Sequence, residues 1–326
     1  MKCSSLPQAV ASGACRSLLH LCLMTPAAPP AHVADRLLAA IDSMRAPVCV
    51  GIDPVVEKLP HVLRPNDDSA ASIVSAIRAF CEQLIEAVIP YVPCIKFQSA
   101  CFERYGSVGV SALEQLMASA GRHADLQVIL DAKRGDIGIS ADHYAAAAFQ
   151  PTVKQSTHAT PDWLTINSYL GSDGIEPFLK HERHGAFALV RTSNPGGDAI
   201  QNLVLRDGRT VAQAVGDLIA QIGSRYVGSR GYSTLGAVVG ATKSEDVMKL
   251  RRIMPQQIFL VPGYGAQGGG VEDVLPCFNS DGAGALVTAS RSVMYAFTPN
   301  DARWNESVAN AAAKFADEVG SAVGKR

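Results

Sequence analysis

The chain has 326 residues, of which 48% are hydrophobic and 18% charged, a balance that allows a full core and excludes a disordered interaction chain. Its 29 Lys and Arg against 30 Asp and Glu leave a net charge of −1, without the basic surplus that nucleic-acid binding needs. Eight cysteines are dispersed with no Cys-x-x-Cys pair and no His at zinc-finger spacing, so they read as free thiols of a reducing cytoplasm.

In chain order, the apolar stretch 17–24 is interrupted by His20 and is far too short to span a bilayer. Lys2 and Arg16 before it and Ala27 and Ala28 after it make a poor secretory signal. Met24 precedes a Pro/Ala-rich linker at 25–31. Residues 1–31 are therefore expected to be a leader, with one folded unit over 32–326.

Eight short β-rich apolar runs follow, at 48–53, 91–97, 126–133, 163–168, 186–192, 235–240, 257–262 and 283–289, separated by segments of helical periodicity. In the segment 70–88, for example, Ile73, Ile77, Phe80, Leu84 and Val88 recur at steps of three and four behind a candidate N-cap, Ser69. Eight alternations predict a (β/α)8 TIM barrel with its active site at the C-terminal ends of the strands. An open doubly wound sheet fits the composition equally, and only the count favours closure. The wide gap 193–234 is expected to hold a functional loop as well as a helix.

Charged residues stand at the ends of several of these runs. The third reads Leu126-Gln-Val-Ile-Leu-Asp131-Ala-Lys133-Arg-Gly-Asp136. Side chains two apart on a strand share a face, which puts Asp131 and Lys133 together at the barrel mouth, roughly 7 Å apart at Cα. Gly135 and Gly138 permit a turn that carries Asp136 beyond the strand. The first run ends at Asp53, and the second carries Lys96 and Gln98. A rim of surface salt bridges is the plain reading of such charges. Charges inside apolar runs are rarer than charges on helix faces, however, and a cluster of this kind can hold a lysine protonated while pressing a carboxylate against an anionic substrate.

The seventh run leads into Pro262-Gly-Tyr-Gly-Ala-Gln267-Gly-Gly-Gly270 and the eighth into Thr288-Ala-Ser-Arg291, where barrels often bind phosphate. Glycine amides can approach its oxygens and Arg291 can supply a bidentate fork. Ser193, after the fifth run, can hydrogen-bond a heterocycle. His143, His158, His181 and His184 lack metal-ligand spacing, Cys94 and Cys101 read as small buried hydrophobes, and Phe102 and Tyr105 as core.

Asp131-Ala-Lys133-Arg-Gly-Asp136-Ile-Gly resembles the D-x-K-x-x-D signature of orotidine 5′-phosphate decarboxylases. Val-Gly-Ile-Asp53-Pro, Ile-Lys96-Phe-Gln98, Arg191-Thr-Ser193-Asn-Pro-Gly, the glycine loop around Gln267, and Ser290-Arg291 resemble the longer-chain bacterial branch of that family, in the same order, over roughly 32–320. The resemblance implies a charged core of Lys96, Asp131 and Lys133, with Asp136 donated across a homodimer interface. It implies ribose and substrate-orienting roles for Asp53 and Gln98, a pyrimidine contact for Ser193, and a phosphate grip by Gln267 and Arg291. Ser140 resembles the second subunit's nucleotide contact, although threonine is common there. The reaction implied is loss of CO2 from C6 of orotidine 5′-monophosphate to give UMP, with no metal, flavin or pyridoxal.

Magnesium-dependent sugar-phosphate enzymes of the same superfamily share the D-x-K-x-x-D strand but place a carboxylate where this chain has Lys96, because a divalent cation needs oxygen ligands. A non-catalytic nucleotide-phosphate-binding barrel is the remaining alternative. Neither nucleic acid nor membrane is expected as a partner.

Overall fold

The computed structural model describes residues 31–150, 160–241, 244–265 and 270–324. All eight expected strands form: β1 (Val48–Ile52), β2 (Cys94–Gln98), β3 (Gln127–Arg134), β4 (Trp163–Ile166), β5 (Gly185–Arg191), β6 (Leu235–Val239), β7 (Phe259–Pro262) and β8 (Ala285–Ala289). Each pairs in parallel with the next and β8 pairs with β1, so the sheet is a closed barrel rather than an open one. β2 begins at Cys94 and not at 91, because Tyr91 N–H closes a turn onto Val88 O and Pro93 has no N–H to offer a ladder.

The period-two alternation of a strand stacks the barrel interior in layers. The lower layer is apolar, with Cys49, Cys94, Ile129, Trp163, Phe187 and Leu286 in one buried cluster. Two residues further along the same strands, the inward positions turn polar: Lys96, Asp131, Thr165 and Thr288 all line one cavity. Below the apolar layer, the helix Val33–Met44 closes the barrel floor by packing Val33, Leu37 and Ile41 into that cluster. Its buried Asp35 fixes the helix by accepting from Ser229 N–H at 2.9 Å, Ser229 Oγ at 2.7 Å and Arg230 N–H at 3.0 Å.

Outside the barrel, the helix Ala70–Val88 turns Val74, Ile77, Phe80, Leu84 and Val88 inward, and Ser69 Oγ caps it by accepting from Ser72 N–H. The long gap after β5 contains a short helix Asp198–Gln201, a bridge between Val204 and Thr210, and the helix Val211–Gly223, which starts in a capping box of Thr210 and Gln213. Cys49, Cys81, Cys94 and Cys277 are buried free thiols, whereas Cys101 is only partly buried. His184 stacks on Phe149, with centroids 4.6 Å apart, as a packed histidine. His158 and most of the leader lie outside the described residues, and no described helix is long and apolar enough to cross a membrane.

Trp163 is fully buried and stacked on Phe187 at 4.6 Å, and it has room only because residue 185 is glycine. A Cβ there would sit 2.4 Å from Trp163 Cζ3 and 2.6 Å from Thr234 O. Gly185→Ala is expected to destabilise the barrel by about 1–3 kcal/mol through overpacking, read as a lower urea midpoint at unchanged slope.

Candidate active site

A cavity of about 330 Å³ opens at the C-terminal ends of the strands. Asp53, just after β1, and Lys96, Gln98, Asp131 and Lys133 of β2 and β3 line it with polar groups, all but Gln98 charged, while β5 to β7 line it with Leu189, Val238, Leu260 and Pro262. Ser193 and Tyr264, on loops, and Arg291, the first residue of the short helix Arg291–Met294, stand around it.

Asp131 is the centre of the charged side. Its Oδ2 accepts from Lys96 Nζ at 2.9 Å and Gln98 Nε2 at 3.3 Å, and its Oδ1 from Lys133 Nζ at 2.7 Å and Thr165 Oγ1 at 2.8 Å. Burial alone would raise its pKa, but the ammonium groups of Lys96 and Lys133 outweigh burial and hold it at about 2. Burial likewise works against the charge on Lys96, yet Asp53 at 3.6 Å and Asp131 keep that ammonium well above the ordinary lysine value. Among the described residues the buried Asp53 Oδ1 has no hydrogen-bond donor and is balanced by the Lys96 ammonium at 3.6 Å. The two lysines differ in access: the Lys96 side chain is 8% exposed and the Lys133 side chain 47%, so Lys133 is the one a ligand can meet.

Asp131 and Lys133 share a face as expected, but not by plain alternation. Lys133 has φ +45°, in the left-handed region, and the β3–β4 register shifts between Leu130 and Arg134. Such a backbone costs a non-glycine residue about 1–3 kcal/mol. Thr165 Oγ1 receives the Lys133 N–H at 2.9 Å, and the ladder resumes where Asn167 N–H donates to Arg134 O.

The turn after β5 is built rather than loose. Arg191, nearly buried, donates to Asp198 at 2.6 Å and to Gln201 Oε1 at 2.9 Å, and Gln201 holds both Thr192 N–H and Thr192 Oγ1. This fixes Ser193 on the cavity wall. After β7, Gly263 (φ +95°) and Gly265 (φ +75°) bracket Tyr264, a backbone that favours glycine at both places. The Tyr264 hydroxyl donates to Glu318 at 3.1 Å, and burial together with that carboxylate pushes its pKa up to about 12. Arg291 stands exposed at the rim, next to this turn. Gln267 lies outside the described residues.

Asp136 and Ser140 do not line the cavity of their own chain; the Asp136 carboxylate accepts from Ile137 N–H at 2.8 Å. Among the described residues no group of three or more His, Cys, Asp or Glu is arranged to hold a metal ion. Thr165, Tyr264 and Thr288 were not singled out from sequence, although Thr165 follows Trp163 by the same two-residue step that relates Lys96 to Cys94.

A closed barrel whose mouth holds a cavity charged on one side, with an exposed arginine at its rim, has the architecture of a (β/α)8 enzyme. Residues 46–303 match the profile of the Orotidine 5′-phosphate decarboxylase / HUMPS family. The chain is 39% identical over 287 residues to an orotidine 5′-phosphate decarboxylase of Rhodopirellula baltica, covering 84% of this chain and 94% of the relative. It is 38% identical to one of Herpetosiphon aurantiacus, covering 80% and 89%. The structure of Leishmania donovani OMP decarboxylase superposes with a TM-score of 0.69 at 28% identity, covering 90% of this chain and 99% of that one. The chain belongs to the orotidine 5′-phosphate decarboxylase / HUMPS family.

The depressed pKa of Asp131 has a stability consequence. Its folded value of about 2 lies below the ordinary 3.8, so its contribution is complete above the ordinary value and disappears as pH falls through the folded one. The unfolding free energy of the wild type is therefore expected to drop more steeply than that of Asp131→Asn between about pH 5 and pH 2, measured by denaturant titration at each pH.

Proposed function

We propose that this chain converts orotidine 5′-monophosphate to UMP and CO2, the last step of de novo pyrimidine nucleotide synthesis, without a metal or organic cofactor. One observation carries the reading: Asp131 is clasped between Lys96 and Lys133, where a magnesium-dependent relative of the superfamily needs an oxygen ligand in place of Lys96. The named relatives agree, since those cited are decarboxylases over most of both chains.

In this reading the pyrimidine lies against Leu189, Val238 and Leu260 with Ser193 at its polar edge, and C6 faces Lys133. The C6–carboxylate bond breaks, CO2 departs, and the electron pair stays on C6. The Lys133 ammonium stabilises that pair in a poorly solvated site and then gives C6 its proton. Asp131, held as an anion, faces the departing carboxylate and disfavours the bound ground state. Asp53 and Gln98 orient the ribose and base, while Arg291 and Gln267 grip the phosphate. Phosphate binding far from C6 supplies energy for assembling the site.

The active unit in this reading is a cytoplasmic homodimer in which Asp136 and Ser140 enter the neighbouring copy's site. Support comes from Asp136 lying outside its own chain's cavity, next to exposed Ile137 and close to exposed Leu170, apolar side chains that a second copy can cover. Free thiols in all five described cysteines fit a reducing compartment. Residues 32–326 form the catalytic unit and 1–31 a dispensable leader, because the helix that floors the barrel begins at Val33.

The ultraviolet absorbance of orotidine 5′-monophosphate is expected to fall on adding chelator-treated protein, at the same rate for a chain beginning at Met24. Activity lost to chelator and restored by magnesium would favour the sugar-phosphate branch, and no turnover at all the non-catalytic barrel. For the shared site, mixing inactive Lys133→Ala and Asp136→Ala chains is expected to restore about a quarter of normal activity, since half of randomly exchanged dimers are mixed and each has one intact site. No gain after subunit exchange is confirmed by mass spectrometry would assign Asp136 to its own chain.

A further inference from the structure

Resting on the decarboxylase reading, we infer that the hydroxyl of Thr165 is a positioning group for the reaction: it locks the backbone of Lys133 and the carboxylate of Asp131 to each other. The observation is a closed ring of contacts. Lys133 N–H donates to Thr165 Oγ1 at 2.9 Å, Thr165 Oγ1 donates to Asp131 Oδ1 at 2.8 Å, and Lys133 Nζ donates to that same oxygen at 2.7 Å. Thr165 is 2% exposed, so water cannot substitute for it without rearrangement.

The direction of the hydroxyl proton is forced. A backbone N–H can only donate, so Oγ1 must accept from Lys133, and its single proton is left for the carboxylate, which as an anion can only accept. One oxygen thus serves a backbone group on one side and a charge on the other. An apolar side chain of the same shape can do neither.

The need for such a lock is local. Lys133 is the one residue of β3 with a left-handed φ, and the β3–β4 ladder breaks there. A strained residue in a broken ladder drifts unless something holds it, and its ammonium would drift with it. Thr165 supplies the missing acceptor from β4 itself, directly above the buried Trp163. It also acts after proton transfer. Once Lys133 has given its proton to C6, Asp131 Oδ1 loses its charged donor, and Thr165 remains to hold the carboxylate in place while Lys96 and Gln98 hold Oδ2. The expected signature is a loss in the chemical step with little loss in nucleotide binding, because ~1 Å of misplacement of a reacting group costs on the order of a hundredfold in rate.

The test compares wild type, Thr165→Val and Thr165→Ser on orotidine 5′-monophosphate, with UMP affinity measured calorimetrically on the same samples. Thr165→Val is expected to lower kcat about a hundredfold while KM and UMP affinity stay within about threefold, and Thr165→Ser to recover most of kcat. Thr165→Ala carries the same expectation where valine does not fold, retained UMP binding being the proof of folding. Thr165→Val with near-normal kcat, or Thr165→Ser no better than valine, would overturn the inference. Wild-type protein that binds UMP yet leaves orotidine 5′-monophosphate intact would instead remove the decarboxylase reading on which it rests.

Discussion

A carboxylate clasped between two ammonium groups inside an apolar barrel is the interaction on which the rest of the site depends. Taking an ion out of water costs several kcal/mol even after relaxation, and geometry with full hydrogen bonding must offset it. Here the charges alternate as Asp53, Lys96, Asp131 and Lys133, so the cluster is neutral as a whole. Asp131 satisfies two donors on each oxygen, and Lys96 lies between two carboxylates. Neutrality lets the cluster sit where water is scarce. The alternation also leaves its two ends unlike, with a carboxylate, Asp53, at one end and a reachable ammonium, Lys133, at the other.

That cluster is set by the layered interior. Lys96 and Asp131 occur two residues above Cys94 and Ile129, so the same alternation that buries an apolar floor presents charge one layer higher. A one-residue slip of β2 or β3 would turn the charges into the helix-packed face. The stacked Trp163 and Phe187 and the Asp35-anchored helix Val33–Met44 make the floor rigid, and a rigid surround is what allows Lys133 to be kept in a left-handed conformation.

Much of this was legible in the sequence because its signals are periodic. Eight apolar runs carry the strand number, and the two-residue step places Lys96 and Asp131 on the same mouth; Lys133 joins them there, but through a left-handed residue rather than by that step. Charges in apolar runs announce themselves. Thr165 did not, since threonine in Trp-Leu-Thr-Ile is also an ordinary strand former, and its importance arises only from the broken ladder across from it. The left-handed Lys133 was equally hidden, because no glycine or asparagine marks the position. The start of β2 was misjudged since Tyr91 and Val92 are good strand residues; the turn closing the preceding helix takes precedence over propensity there. Arg191 falls near the end of the fifth apolar run without a role of its own in the sequence, and only the fold shows that it braces the turn bearing Ser193 through Asp198 and Gln201.

The two halves of the cavity differ in a way that bears on rate. Leu189, Val238 and Leu260 face the charged strands across about 330 Å³, so under the proposed function a flat ring between them displaces water from the space beside Lys133. In the proposed reaction, lower local dielectric lets that ammonium stabilise a developing negative charge more strongly, and a position fixed beforehand leaves little to reorganise. The rim works differently. Arg291 is exposed at the rim, so under the proposed function its attraction to an anion contributes to capture rather than to bond breaking. Under the proposed function, separating an exposed grip from a buried charged cluster lets binding energy gained at one end be used to hold the reacting atoms against Lys133 at the other, and it requires that the cluster not yield. The hydrogen bonds around Asp131 and the packed layer beneath it meet that requirement.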